Sequence, residues 1–285
     1  MLFKKKDKEE KPEFVQALDN TPARNYEVYK MKPSEVLIYF LIAFAIGAAV
    51  GYLFYGGLGK NEYGEATTKT HVLNIIICSV AGLISAKLFI PSRRKSIIEK
   101  RRNELKRQFR VLLDTLTTSI GSGKNVHDSF VSAYDDLGII YSEDDYIMEE
   151  LQIIRRGLAN SIVIEDLLND FGERSGIDDI KSFAGVFETC SRRGGNMKDI
   201  IHSIQQILGD KMNVEENIVT VLASSAMEQK IMLVMPVMII ALVKFSDEDF
   251  GSKFATSSGI VATTVGVVCF AVSYIIGKSI MKIKV

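Results

Sequence analysis

Ser191-Arg-Arg-Gly-Gly-Asn-Met197 is the stretch on which the reading of the chain turns. It separates two apolar-periodic segments inside a polar, helix-patterned block that runs from about Leu105 to Glu228. Upstream, Gly123-Lys-Asn-Val-His-Asp128 repeats the pattern of Gly194-Gly-Asn-Met-Lys-Asp199 at an offset of 71 residues. In both copies an apolar helix face stops at glycine, and Asn-x-x-Asp opens the next helix. Glycine reaches the left-handed conformation that ends a helix at little cost. Asparagine accepts from the orphan amides of the next first turn, and an acid three residues on suits the positive end of the helix dipole. Gly123, Asn125, Gly194, Gly195 and Asn196 are therefore read as structural turns in a pseudo-repeat of helical hairpins, not as groups that do chemistry.

Around these turns the apolar positions keep helical spacing. Ile98, Leu105, Phe109, Leu112, Leu116 and Ile120 form one stripe of a long amphipathic helix. Shorter helices follow over Val126 to Leu137, Asp145 to Leu158 (opened by the capping signature Ser142-Glu-Asp-Asp145) and Ile164 to Arg174, the last ended by Gly176. Asp178 to Arg192 carries Ile180, Phe183, Val186 and Phe187 on one side. After the Gly-Gly turn, Met197, Ile201, Ile204 and Leu208 begin a helix that reaches about Met227. No alternating strand pattern stands out. A block of this length can bury its own core as a six-helix bundle.

Two pairs of apolar runs flank the block. Val36 to Tyr55 is 20 residues without a charge, enough to cross a hydrocarbon core of about 30 Å. Its Gly47, Ala48, Ala49 and Gly51 would allow close helix contact. A second run, His71 to Ile90, carries only Lys87 near its end, and Pro91 is read as its exit. The basic run Arg93, Arg94, Lys95, Lys100, Arg101, Arg102, Lys106, Arg107, Arg110 comes next. Positive residues beside a span stay in the cytoplasm, and a run with one aromatic residue suits anionic lipid better than nucleic acid. Ile231 to Val243, kinked at Pro236, and Gly259 to Gly277 form the second pair. The expected fold is an all-α membrane protein: four transmembrane helices, two plus two, flanking a cytoplasmic six-helix bundle. Its expected parts are a cytoplasmic N-terminal segment (1–35), a first helix pair (36–90), the cytoplasmic helical domain (91–229) and a second helix pair (230–285). The lysine-rich N-terminal segment is read as a tail or short helix at the membrane surface, and both termini as cytoplasmic.

Composition excludes more than it assigns. The 285 residues balance 35 basic against 35 acidic side chains, so the whole chain gives no sign of nucleic-acid binding. Cys78, Cys190 and Cys269 are odd in number and far apart, which points to small buried hydrophobes rather than a disulfide framework or a zinc site. Gly121-Ser-Gly-Lys124 lacks the first glycine, the Ser/Thr and the preceding strand of a phosphate-binding loop. His71, His127 and His202 are isolated, no nucleophile–base spacing can be argued, and the spans hold no mid-membrane ionisable group. No catalytic, cofactor or metal site is expected.

Charge segregation remains. From Asp128 to Glu228 acids outnumber bases, with pairs such as Asp135-Asp136 and Glu149-Glu150. Two readings stay open: a solvated surface repelled from the membrane, or a docking face for a basic partner, with Asp135, Asp136, Glu149 and Glu150 as candidates.

Longer stretches carry a resemblance. Gln108-Phe109-Arg110, Leu113 and Ser119-Ile-Gly-Ser-Gly-Lys-Asn-Val-His-Asp-Ser-Phe130 resemble the first half of the type II secretion system F domain. Ile164-Glu-Asp-Leu-Leu, Phe171-Gly-Glu-Arg-Ser175, Asp178-Asp-Ile180, Phe183-Ala, Val186-Phe187 and Arg193-Gly-Gly-Asn-Met197 resemble its second half. Ala226-Met-Glu-Gln-Lys and Met235-Pro236 resemble the family's approach to the third span. The two-span, F-domain, two-span layout resembles the TadB/TadC branch, the platform proteins of Flp (Tad) pili, and Tyr26-Glu-Val-Tyr29 resembles TadB more than TadC. The resemblance implies an inner-membrane platform, in a bacterial cytoplasmic membrane, that couples a cytoplasmic ATPase to pilin extraction and filament assembly. It implies as partners that ATPase, pilin subunits and a second F-domain protein (TadC-like) or a further copy, beside the membrane lipids. A different class stays open as the alternative: a membrane-tethered regulatory or sensory module whose helical domain binds a signalling partner.

Overall fold

The computed structural model describes residues 12–56, 58, 67–193, 197–246 and 256–280. In chain order it holds β1 (Phe14–Gln16), β2 (Pro22–Arg24), α1 (Pro33–Tyr55), α2 (Thr68–Gly121), α3 (Val126–Leu137), α4 (Tyr146–Ala159), α5 (Ile164–Ser175), α6 (Asp178–Arg193), α7 (Met197–Ser246) and α8 (Ser257–Ile280). The chain divides into two compact units, Met1–Lys30 with Arg94–Asn213, and Met31–Arg93 with Val214–Val285.

The second unit contains the apolar helices. α1, α8 and parts of α2 and α7 are long and apolar enough to cross a membrane. Leu37, Ile75, Leu88, Met232 and Ile275 point outward, a surface that suits lipid rather than water. Pro33 opens α1, where its missing amide costs nothing, and the Glu35 carboxylate accepts from the Lys32 amide at 3.3 Å. Ala43, Gly47 and Gly51 are the buried residues of α1, one stripe at steps of four. A Cβ on Gly47 would lie 2.5 Å from Ser85 Cβ, and one on Gly51 2.8 Å from Ala81 Cβ. These two glycines set how closely α1 and α2 approach, while Ala49 faces outward.

Two boundaries differ from expectation. α2 continues over Pro91 instead of ending there, so the second span and the amphipathic stripe are one helix of 54 residues. α7 likewise continues from the helical block over Pro236 to Ser246. A proline removes one amide donor and disturbs one turn, and the well-formed turns on either side outweigh that loss. The cysteines also depart from the reading as buried hydrophobes: Cys78 and Cys190 are half-buried and Cys269 is exposed, all three as free thiols.

The first unit is built around one core shared by α2 from Leu105 on, α3, α4, α5, α6 and the start of α7. From the expected α2 stripe, Leu105, Phe109, Leu112, Leu116 and Ile120 are buried. Phe109 meets Phe171 and Phe183 edge-on, with centroids 6.1 and 5.4 Å apart, and Phe130 meets Phe187 the same way at 6.1 Å. Edge-to-face aromatic pairs add to the stabilisation that burial alone provides. Val186 turns outward, so its helix packs through Ile180, Phe183, Ala184 and Phe187. At the α2–α3 turn Gly123 has φ +95°, and the Asn125 side chain accepts from the Asp128 amide at 2.7 Å. α6 ends at Arg193 and α7 begins at Met197, while Gly194, Gly195 and Asn196 lie outside the described residues.

Residues 12–30 correct the expectation of a surface tail or helix. β1 and β2 pair antiparallel, with Val15 opposite Ala23. The connecting turn is fixed by the Asp19 carboxylate, which accepts from the Thr21 amide at 3.0 Å, and by Asn20 at φ +62°. Ala17 and Ala23 bury against Ile153 of α4, and Tyr26 enters the helical core completely. The segment is a strap that folds onto the helices.

Candidate functional site

Four acids on α3 and α4 carry the candidate docking assignment, and the structure separates them. Asp135 and Asp136 lie on the exposed face of α3's last turn. Glu149 and Glu150 do not belong with them. Glu150 is fully buried, where it accepts from Arg174 of α5 at 2.8 and 2.7 Å and from the Tyr26 hydroxyl at 3.0 Å. Arg174 also donates to Asp170 at 2.7 Å and to the Arg24 carbonyl at 3.4 Å. Glu149 is half-buried and held by both Arg24 donors, at 3.1 and 2.8 Å. The helical period explains the difference: α4 packs Met148, Leu151 and Ile154 inward, and position 150 falls on that face while 149 meets the strap.

Burial raises the Glu150 carboxyl above the usual carboxylate range, with Arg174 and the Tyr26 hydroxyl acting against that rise. Burial works against the Arg174 charge, but Glu150 and Asp170 more than offset it and hold the guanidinium above its ordinary value. Burial, then the neighbouring Glu150 charge, keeps the Tyr26 hydroxyl protonated well above its usual range, so it stays a donor. The Tyr26 amide donates to the Arg174 carbonyl at 3.0 Å, satisfying an orphan acceptor at the end of α5 just before Gly176 turns left-handed at φ +62°. This network fixes strap, α4 and α5 to one another.

Much of the basic run is engaged in the same way. Arg94 donates to the Tyr29 carbonyl at 2.8 Å, and Arg101 pairs with Glu13 at 3.1 Å and covers the Tyr29 ring. Arg102 donates to the Gly176 carbonyl. Lys106 and Lys211 bracket Asp179 at 2.8 and 2.6 Å, and despite burial they hold its carboxyl below the usual range. Lys95 and Lys100 stay exposed. Arg94 and Arg101 thus attach the strap, and Arg102 and Lys106 hold the α5–α6 turn and α6, a role that spacing does not reveal.

Among the described residues of this unit, the turn between α3 and α4 is the most exposed apolar feature. Ile139 and Ile140 are 87% and 65% exposed. Asp135, Asp136, Glu143 and Asp144 surround them in sequence, all exposed and all without an ion-pair partner among the described residues. Among the described residues, no three His, Cys, Asp or Glu side chains are placed to hold a metal ion. In the apolar unit, a cleft of about 920 Å³ opens between α1, α2, α7 and α8, lined by residues such as Val50, Phe54, Val80, Pro236 and Phe270. No protein-family model, curated protein or solved structure matches the chain.

Proposed function

We propose that the chain is an inner-membrane platform of a Flp/Tad pilus or type II secretion-like machine, coupling a cytoplasmic ATPase to pilin extraction and filament assembly. The order of the chain carries this reading: two apolar helices, a helical unit with its own core, then two apolar helices. The sequence motifs that resemble the F domain fall on residues that build that unit. Gln108 clamps the start of α4, Phe171 and Phe183 fill the core, Arg174 neutralises Glu150, and Ser175 accepts from the Ile177 amide. A chain of this kind is mechanical, and catalysis belongs to the ATPase. The apolar cleft offers hydrophobic pilin segments a surface within the spans.

The reading is tested by deleting the gene and by purifying the tagged chain from membranes. Loss of surface filaments, restored by the intact chain, together with recovery of the ATPase in the purified fraction, is the expected result. Filaments at wild-type number in the deletion strain would sink the proposal and favour a tethered regulatory module.

A further inference from the structure

We infer that the α3–α4 turn is an apolar knob which inserts into a pocket edged with lysine and arginine on the ATPase. The inference rests on the platform reading above and names the contact through which it operates.

Three observations meet at this turn. The first is exposure. Ile139 and Ile140 are adjacent and project into solvent, whereas the isoleucines that face the helical core, such as Ile147, Ile154, Ile180 and Ile201, are buried. Single exposed apolar residues are ordinary, but an adjacent pair at a tip is the shape of an anchor.

The second is rigidity. The Gly138 amide donates to the Tyr134 carbonyl at 3.0 Å, and the Ile140 and Tyr141 amides donate to the Leu137 carbonyl at 2.9 and 2.8 Å. The Asp145 carboxylate accepts from the Ser142 amide at 2.9 Å and from the Gln108 side chain at 3.2 Å. Gln108 is itself buried and accepts from the Ile147 amide at 3.1 Å, which ties the turn to α2 and to the first turn of α4. Tyr141 packs back on the core. The knob is thus held in shape before any partner arrives, which lowers the ordering cost of binding.

The third is charge. Asp135, Asp136, Glu143 and Asp144 leave four unneutralised carboxylates on both chain flanks of the isoleucines. Negative charge of this density disfavours an anionic bilayer as the occupant and favours a protein pocket with a basic rim. The isoleucines would supply affinity by burial, and the acids orientation and a faster encounter.

The test compares full-length wild type with the Ile139→Ser/Ile140→Ser pair, and with a neutralised rim (Asp135→Asn, Asp136→Asn, Glu143→Gln, Asp144→Asn). Each is purified from membranes in the presence of the ATPase, at about 0.05 and 0.5 M salt. The serine pair is expected to lower ATPase recovery by about tenfold or more at both salts, with the melting temperature of the platform unchanged. The neutralised rim is expected to match wild type at high salt and to fall below it at low salt. Wild-type recovery by the serine pair overturns the inference and leaves the platform reading standing. Recovery that is unchanged while the particle mass of the platform drops overturns it too, and assigns the knob to contact between copies. Failure of the wild type to recover any ATPase overturns both.

Discussion

At the scale of single residues, neighbouring carboxylates on α4 differ by their environment. Glu150 sits where water cannot reach it, and its charge is tolerated because Arg174 meets both oxygens and Tyr26 adds a third donor. Removing one partner of such a pair leaves an uncompensated buried charge. Arg174→Ala is therefore expected to destabilise the folded chain by about 3–5 kcal/mol. Tyr26→Phe removes one hydrogen bond to a charged group and should cost about 1.5–3 kcal/mol. Asp135→Lys, at an exposed position, is expected to stay within about 0.5 kcal/mol of wild type. Denaturant titration of the three variants, followed by the change in helical signal, checks the order. An Asp135→Lys chain as unstable as Arg174→Ala would show that the two acids share an environment after all.

At the scale of elements, α1 and α2 pack through the stripe Ala43, Gly47, Gly51. Lipid offers no hydrophobic driving force for helix association, so close van der Waals contact must supply it. A side chain at Gly47 runs into Ser85 Cβ and the Ala81 carbonyl, the latter at 2.9 Å, and the backbone there has little room to yield. Gly47→Ile should separate the two helices and lower the melting temperature in detergent. Ala49→Ile, on the exposed side of the same helix, should leave it unchanged. Equal loss in both variants would mean that bulk, not the α1–α2 contact, is responsible. The strap is the other element whose weight comes from contacts. Phe14–Gln16 and Pro22–Arg24 are only three residues each, too short to show an alternating pattern, and they hold their place through Ala17, Ala23 and Tyr26. The Asp19-Asn20 turn was the one local sign of a hairpin in that segment.

At the scale of the whole molecule, the expected topology rests on the basic run that follows the second span. A reporter fused after Asp145 should be active only in its cytoplasmic form, and one after Glu248 only in its exported form. The reverse pattern would overturn the orientation and, with it, access of the helical unit to a cytoplasmic ATPase. Hydropathy and helical period by themselves determined the four apolar helices, the course of α3 to α6 and the α2 core stripe, because those signals are local: each depends on which side chains recur within one or two turns. The cap at Asn125 and the left-handed residues Gly123 and Gly176 are local too, since a few neighbouring dihedrals decide them. Tertiary structure alone decided that Glu150 is buried while Asp135 is free, that much of the basic run binds protein, and that residues 12–30 close over α4 and α5. Those outcomes join positions far apart along the chain, 65 residues for Arg94 with Tyr29 and 124 for Tyr26 with Glu150, and a charge shows nothing in sequence of whether its partner is water or a buried arginine.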